Sequence, residues 1–185
     1  MKFDKTLRNQ LQQLRYRLSS PEKLQLNRII CDNIALHPVF QSSTNIATYH
    51  SINSEVNLET LNKHNKNFFL PVVKEQHTMT FNYYRTKQKL TKNKFGILEP
   101  VNNEIINQQD IHLCLVPLVG FNRKGDRLGM GGGYYDRYFK LNKFHQKPTI
   151  LAGVAYDFQE NGTITAQTWD IPLDIIFTNN EVIIP

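Results

Sequence analysis

The chemistry-bearing residues of this chain crowd into one stretch. GDRLGMGGGYYDR (residues 125–137) holds Gly125, Gly129, Gly131, Gly132 and Gly133, five of the nine glycines in 185 residues. Glycine reaches backbone angles that other residues adopt only with strain, and inside a helix or strand it is destabilising by roughly 0.5–1 kcal/mol. The stretch therefore reads as a loop with a purpose. Its flanks suggest what purpose. LCLVPLVGF (residues 113–121) has the length and apolarity of a strand, and YYDRYFKL (residues 134–141) suits the start of a helix. Strand, glycine loop and helix together aim backbone N–H groups and a positive helix end at one point, the chemistry of an anion site, most often for phosphate. Arg123, Lys124, Arg127 and Arg137 add formal charge. The common phosphate-loop patterns are excluded. Gly120 and Gly125 have the Walker spacing, but Asp126 follows where lysine is required, and Tyr134 breaks the dinucleotide pattern three places after Gly131. A ligand-free connection is the plain alternative, and the Tyr134-Tyr135-Asp136 run joined directly to the glycines speaks against it.

The elements that must position this loop follow from hydrophobic pattern. Leu7, Leu11, Leu14 and Leu18 recur at helical spacing. Ser20-Pro21-Glu22 reads as a cap opening a second helix to about Leu36, closed by His37-Pro38. Residues 45–52, 68–73, 78–84, 148–156 and 173–178 read as strands, and residues 54–64 as a helix with Glu55 in its first turn. Strands alternating with helices predict an α/β fold, a single-domain three-layer sandwich over residues 1–185 with a mainly parallel central sheet and helices on both faces. At this length about 70% of the unfolded surface can be buried. In such a sheet ligands gather beyond the carboxyl ends of the strands. That rule groups His50, Glu55, the glycine loop, Asp170 and Asp174 on one rim. Each has a bland reading too: Glu55 as a helix-end charge, His50 as a satisfied surface residue, Phe95 as packing.

Composition narrows the classes. Cys31 and Cys114 lack metal-ligand or CxxC spacing and read as reduced thiols. The six histidines show no zinc pattern. No apolar run approaches the roughly 20 residues of a membrane span, so a cytoplasmic protein without a membrane partner is expected. The net charge of +6 calls for an anionic partner, but it is spread over the first helix, Lys87 to Lys94 and the glycine loop. That diffuseness argues against nucleic acid, whose binders show a basic stripe or a known module.

One resemblance covers almost the whole chain. LVPLVGFNRKGDRLGMGGGYYDRYF (residues 115–139) resembles the signature of the 5-formyltetrahydrofolate cyclo-ligases, also called 5,10-methenyltetrahydrofolate synthetases. KTLR near the start, YHSINSEVNLETL, FGILEP and WDIPLDIIF are similar to further segments of that family. The resemblance implies an enzyme using ATP and Mg2+ to close 5-formyltetrahydrofolate to the 5,10-methenyl form, acting as a monomer or weak homodimer. It implies that ATP meets Asp4, Lys5, Thr6, Leu7 and Arg8 and the loop Arg127, Leu128, Gly129, Met130, Gly131, Gly132, Gly133, Tyr134 and Tyr135. Folate would meet His50, Glu55, Phe95 and Met130, Gly131, Gly132, Gly133 and Tyr134. Asp136 and Asp174 would hold the metal, and Arg127 and Asp136 would serve the chemistry. Two positions depart from the family pattern: Asp4 stands in the usual lysine slot of K-x-x-L-R, and Gly132 stands where many members have lysine, which shifts phosphate charge to Arg127 or Arg137. A phosphosugar isomerase or acyl-transfer enzyme on a similar scaffold, or a basic nucleic-acid-binding module, is the alternative.

Overall fold

The computed structural model describes residues 2–146 and 148–185, with Lys2, Phe3, Asp4 and Lys143 described by their backbone only. The chain opens with α1 (Lys2–Arg17), α2 (Ser20–Leu36) and α3 (Pro38–Ser42). Then come β1 (Asn45–Ala47), β2 (Asn67–Val73), β3 (Met79–Tyr84), β4 (Leu90–Lys92), β5 (Leu98–Pro100) and β6 (Leu113–Pro117). The small hairpin β7 (Gly120–Phe121) and β8 (Arg127–Leu128) leads to α4 (Tyr134–Tyr138), β9 (Ile150–Val154), β10 (Ile175–Phe177) and β11 (Val182–Ile183).

The central sheet has the order β11-β10-β9-β6-β1-β2-β3. Its five inner strands are parallel, and β3 and β11 run antiparallel at the two edges. Alternation divides each inner strand between two cores. Ile46, Leu113, Leu115, Ala152, Val154, Ile175 and Phe177 face α2 through Ile30, Cys31 and Ile34. Ala47, Cys114, Val116, Leu151 and Ile176 face the opposite way, against Phe81, Phe139 and the tyrosines of α4. The strands are apolar on both sides because both sides are covered. Truncating a fully buried residue such as Leu115 or Ile176 to alanine would cost about 2–5 kcal/mol. The expected α/β class is thus observed, although the second face is covered by the short α4, turns and hairpins rather than by long helices.

Several local expectations change. Residues 54–64 form only a 3-10 turn at Glu59–Lys63. Asn53 and Ser54 adopt positive φ of 49° and 60°, and the Asn57 side chain accepts from Glu59 N–H at 2.8 Å, so the chain turns sharply where a helix would have begun. The cap of α2 is Ser19, one residue earlier than expected. Glu22 lies three places after it, so its Oε2 accepts from Ser19 N–H at 2.8 Å in a reciprocal capping box. The first helix buries Leu7, Leu11 and Arg15, while Leu14 is 38% exposed. The strand expected over residues 113–121 is split, because the backbone leaves the sheet after Pro117 and β7 pairs with β8 instead. Among the described residues, no helix is long and apolar enough to cross a membrane.

Candidate functional site

The split of the apolar run separates the glycines into two groups. Gly125 belongs to the β7–β8 turn, where Asn122 Oδ1 accepts from Lys124 and Asp126 N–H at 2.9 and 3.0 Å. Its φ is +85°, and a Cβ there would lie 2.7 Å from the Leu173 carbonyl oxygen. This glycine lets the turn dock on the segment before β10.

The other four glycines line an open loop between β8 and α4. Gly131 has φ +92°, and no atom lies within 4 Å of where its Cβ would be. The loop is held by its carbonyls. Arg8 Nε donates to Gly129 O at 2.7 Å, Arg137 Nη2 to Gly132 O and Arg137 N–H to Gly133 O at 3.1 Å. Gln12 Nε2 reaches the Met130 sulfur at 3.0 Å. Among the described residues, no acceptor takes the N–H groups of Gly129, Met130, Gly131, Gly132 or Gly133. Successive N–H groups without an acceptor among the described residues are the arrangement expected of an anion nest. The helix that follows has five residues, so the dipole contribution expected from a longer helix is small and the donors and cations carry the site. Arg137 lies over the Tyr134 ring at 5.4 Å, and Phe95, half-exposed on the β4–β5 turn, meets the same ring edge-on with centroids 6.5 Å apart.

Arg127 does not turn toward this loop. Its Nη2 pairs with Asp136 Oδ1, its Nη1 donates to the Ile171 carbonyl, and Asp136 Oδ1 also accepts from Ile171 N–H at 3.2 Å. The two side chains are only 7% and 20% exposed. Their ion pair clamps hairpin, α4 and the strand-10 approach together. Asp174 is placed apart from the rim proposed for it. It directly precedes β10, at the amino edge of the parallel sheet, and its Oδ2 accepts from Leu151 N–H at 2.7 Å. Burial pushes its carboxyl up from the usual range, and only that one N–H acts the other way.

Glu55 and His50 lie on the loop after β1, at the carboxyl rim. Ile52 N–H donates to Glu55 Oε2 at 3.1 Å, and Glu55 N–H returns to Ile52 O at 2.9 Å. Burial raises the Glu55 carboxyl, opposed by that N–H and by the charge of Arg15. The strand order puts the ends of β1, β6 and β9 side by side, so the loops carrying Glu55, Leu118 and Tyr156 share a rim, with the glycine loop reached through the hairpin. Lys5, Thr6, Leu7 and Arg8 lie in α1, of which Arg8 touches the loop and Leu7 packs in the core beside Val119. Leu128 is in β8, and Tyr135 is partly buried, its hydroxyl pushed far above the usual range by desolvation. The side chain of Asp4 lies outside the described residues. Gln12 escaped the motif reading, and Arg15 entered it only as one of the cations of the first helix, with no role attached. A hollow of about 810 Å³ lies elsewhere, at the amino edge among Asn45, Asn67, Tyr83, Ile105 and His112. It gathers no cluster of cations, so volume and anion chemistry part company here.

Comparison with known proteins bears on this geometry. Residues 1–179 match the model of the 5-formyltetrahydrofolate cyclo-ligase family. The chain is 32% identical to a 5-formyltetrahydrofolate cyclo-ligase of Haemophilus influenzae, covering 90% of this chain and 92% of that protein. It is similar to the solved 5,10-methenyltetrahydrofolate synthetase of Aquifex aeolicus, with TM-score 0.84, 34% identity and coverage of 98% and 92%. The synthetase structure from Mycoplasma pneumoniae gives TM-score 0.74 and 30% identity over 94% and 97%.

Proposed function

The chain belongs to the 5-formyltetrahydrofolate cyclo-ligase family, and from that premise we propose that it closes 5-formyltetrahydrofolate to 5,10-methenyltetrahydrofolate with ATP bound at the glycine loop. The observation that carries the site assignment is the loop at residues 129–133, clamped by its carbonyls with N–H groups that no acceptor among the described residues takes.

In this reading the formyl oxygen attacks the γ-phosphorus and the bond to ADP breaks. Nitrogen N10 then attacks the activated carbon, the carbon–oxygen bond to phosphate breaks, and N10 loses its proton to leave the methenyl bridge. The protein needs to do little covalent work. Phosphoryl transfer is catalysed chiefly by positioning and charge neutralisation, which the loop N–H groups, Arg8 and Arg137 provide. Glu55 accepts from the ring N–H donors and fixes the folate, and Tyr134 and Phe95 close the side of the site. Holding the three reacting centres in register is worth about 7–11 kcal/mol in well-oriented reactions. Arg127 and Asp136 position the loop and α4 rather than touching phosphate.

The resemblance assigns a single Mg2+, which commonly takes one or two carboxylates besides phosphate and water, to Asp136 and Asp174. The two do not make a ready site: Asp136 is already paired with Arg127 and could offer only its second oxygen, and Asp174 is an exposed side chain before β10 whose Oδ2 accepts from Leu151 N–H. Bound ATP, a cytoplasmic setting and a monomer or weak dimer belong to the same proposal. The test is the near-ultraviolet absorbance of the methenyl product. A rise that requires folate, ATP and Mg2+ together is expected. A rise without ATP consumption, or none from folded protein, would point to the isomerase or acyl-transfer alternative.

A further inference from the structure

Arg15 differs from every other cation described in the molecule. Leu7, Leu11 and Arg15 follow one another at intervals of four along α1. The two leucines pack against Val119 and Ile164, which draws the arginine inward until it is 1% exposed. Its Nη1 donates to the Leu118 carbonyl at 3.3 Å. That oxygen also accepts from Gln159 Nε2 at 3.0 Å, so it is shared. Nε and Nη2 are buried without a protein partner. These two donors lie along one edge of the guanidinium, a complete fork of the kind that grips a bidentate or twice-accepting oxygen. A buried charge with at least three of its five N–H donors unmatched is costly, and such a group in a native structure calls for an explanation, a functional role among them.

The fork sits on the carboxyl rim, under the end of β6, and Glu55 stands at the end of the neighbouring β1. Arg15 is the cation that acts on the Glu55 carboxyl, yet no ion pair of 4.0 Å or less joins them among the described residues. A carboxylate and a guanidinium fork thus stand at the ends of neighbouring strands, within electrostatic reach of each other but unpaired. The ligand edge that satisfies both presents N–H donors beside a carbonyl oxygen. The 2-amino-4-oxo pyrimidine edge of a folate reads donor, donor, acceptor in that order.

We propose that Arg15 is a specificity-determining residue for the folate, its Nε and Nη2 donating to the C4 carbonyl oxygen next to the N–H donors that Glu55 accepts. The inference rests on the folate reading of the Glu55 site and adds to it the group that reads the carbonyl. It predicts discrimination by one atom pair. An analogue with an amino group in place of the C4 carbonyl oxygen presents donors to the fork and is rejected, because buried polar groups left unpaired penalise the wrong ligand heavily.

Equilibrium binding of 5-formyltetrahydrofolate and of its 4-amino-4-deoxy analogue to the full chain tests this, with Arg15→Met and Arg15→Lys beside the parent. The parent should prefer the oxo compound by about 10- to 100-fold, the range for a hydrogen bond to a charged group. Arg15→Met should lose that preference by weakening the oxo compound alone, with ATP affinity within twofold of the parent and a cooperative thermal melt. Arg15→Lys, which keeps the charge without the fork, should retain only part of the preference and carries the test if the methionine variant does not fold. A parent that does not discriminate, or variants that lose both folates equally, overturns the role of Arg15. A parent that forms methenyl product while the preference survives in the variants refutes Arg15 alone, whereas a folded parent that forms no product refutes the folate reading beneath it.

Discussion

The two glycine-bearing turns that follow β6 use the same residue for opposite ends. At Gly125 a missing side chain makes room for protein: the turn presses on Leu173, and a Cβ would collide with its carbonyl. At Gly131 the space stays open, and the backbone is held by Arg8 and Arg137 from the carbonyl side. Glycine density therefore marks close approach without saying what approaches. Only the packing around each position separates a folding glycine from a ligand-facing one, and the Arg127–Asp136 pair ties the two regions together.

Cutting that tie should have the largest effect. Asp136→Asn leaves Arg127 buried without its counter-charge and should lower unfolding free energy by about 3 kcal/mol, measured by urea titration. Unchanged stability with a loss confined to Mg2+-dependent turnover would instead make Asp136 a metal holder. Gly131→Val should reduce turnover by at least about a hundredfold, the scale for losing oriented backbone donors, while the urea midpoint moves far less than in Asp136→Asn. Retained ATP affinity in that variant would remove the loop from the phosphate site. Gly125→Ala should do the reverse, costing about 2 kcal/mol through positive φ and contact with Leu173 with turnover per folded molecule within about twofold. If activity fell more than stability, the contrast between the turns would collapse.

A subtler separation concerns pH. Burial raises the folded Glu55 carboxyl above its unfolded value of 4.5, so the folded state holds that proton more tightly. The contribution to stability is then greatest below the unfolded pKa and is lost as pH rises through the folded one. Glu55→Gln should flatten this slope above pH 4.5 and be at least as stable as the parent at pH 7, while its Michaelis constant for folate rises. Denaturant curves at both ends of the window, set beside folate kinetics, check the sign. The smallest effect is expected from Gly129→Ala, whose Cβ meets nothing within 4 Å. Stability should stay within about 0.5 kcal/mol, so that any deficit appears in the Michaelis constant for ATP.

The glycine loop was legible in the chain because five glycines in one stretch are costly anywhere except where the backbone must bend or be approached. The inner strands were legible because burial on both faces leaves near-continuous apolar runs such as LCLVP. The missing helix at residues 54–64 was not, since positive φ at Asn53 and Ser54 is set by the turn that delivers Glu55, and propensity does not register it. Nor was Arg15, whose helix reads as amphipathic with leucines inward until Leu14 is found facing solvent.

The sequence by itself determined the α/β class and the glycine-rich loop ahead of a helix start, because period and glycine content are local properties. Tertiary structure alone decided the partners. It paired Arg127 with Asp136, set Asp174 at the edge opposite Glu55, assigned Gly125 to packing, and left the Arg15 fork unmatched. Each of these is a contact between segments far apart in the chain, and the strand order and the burial around it choose which groups meet and which are left for a ligand.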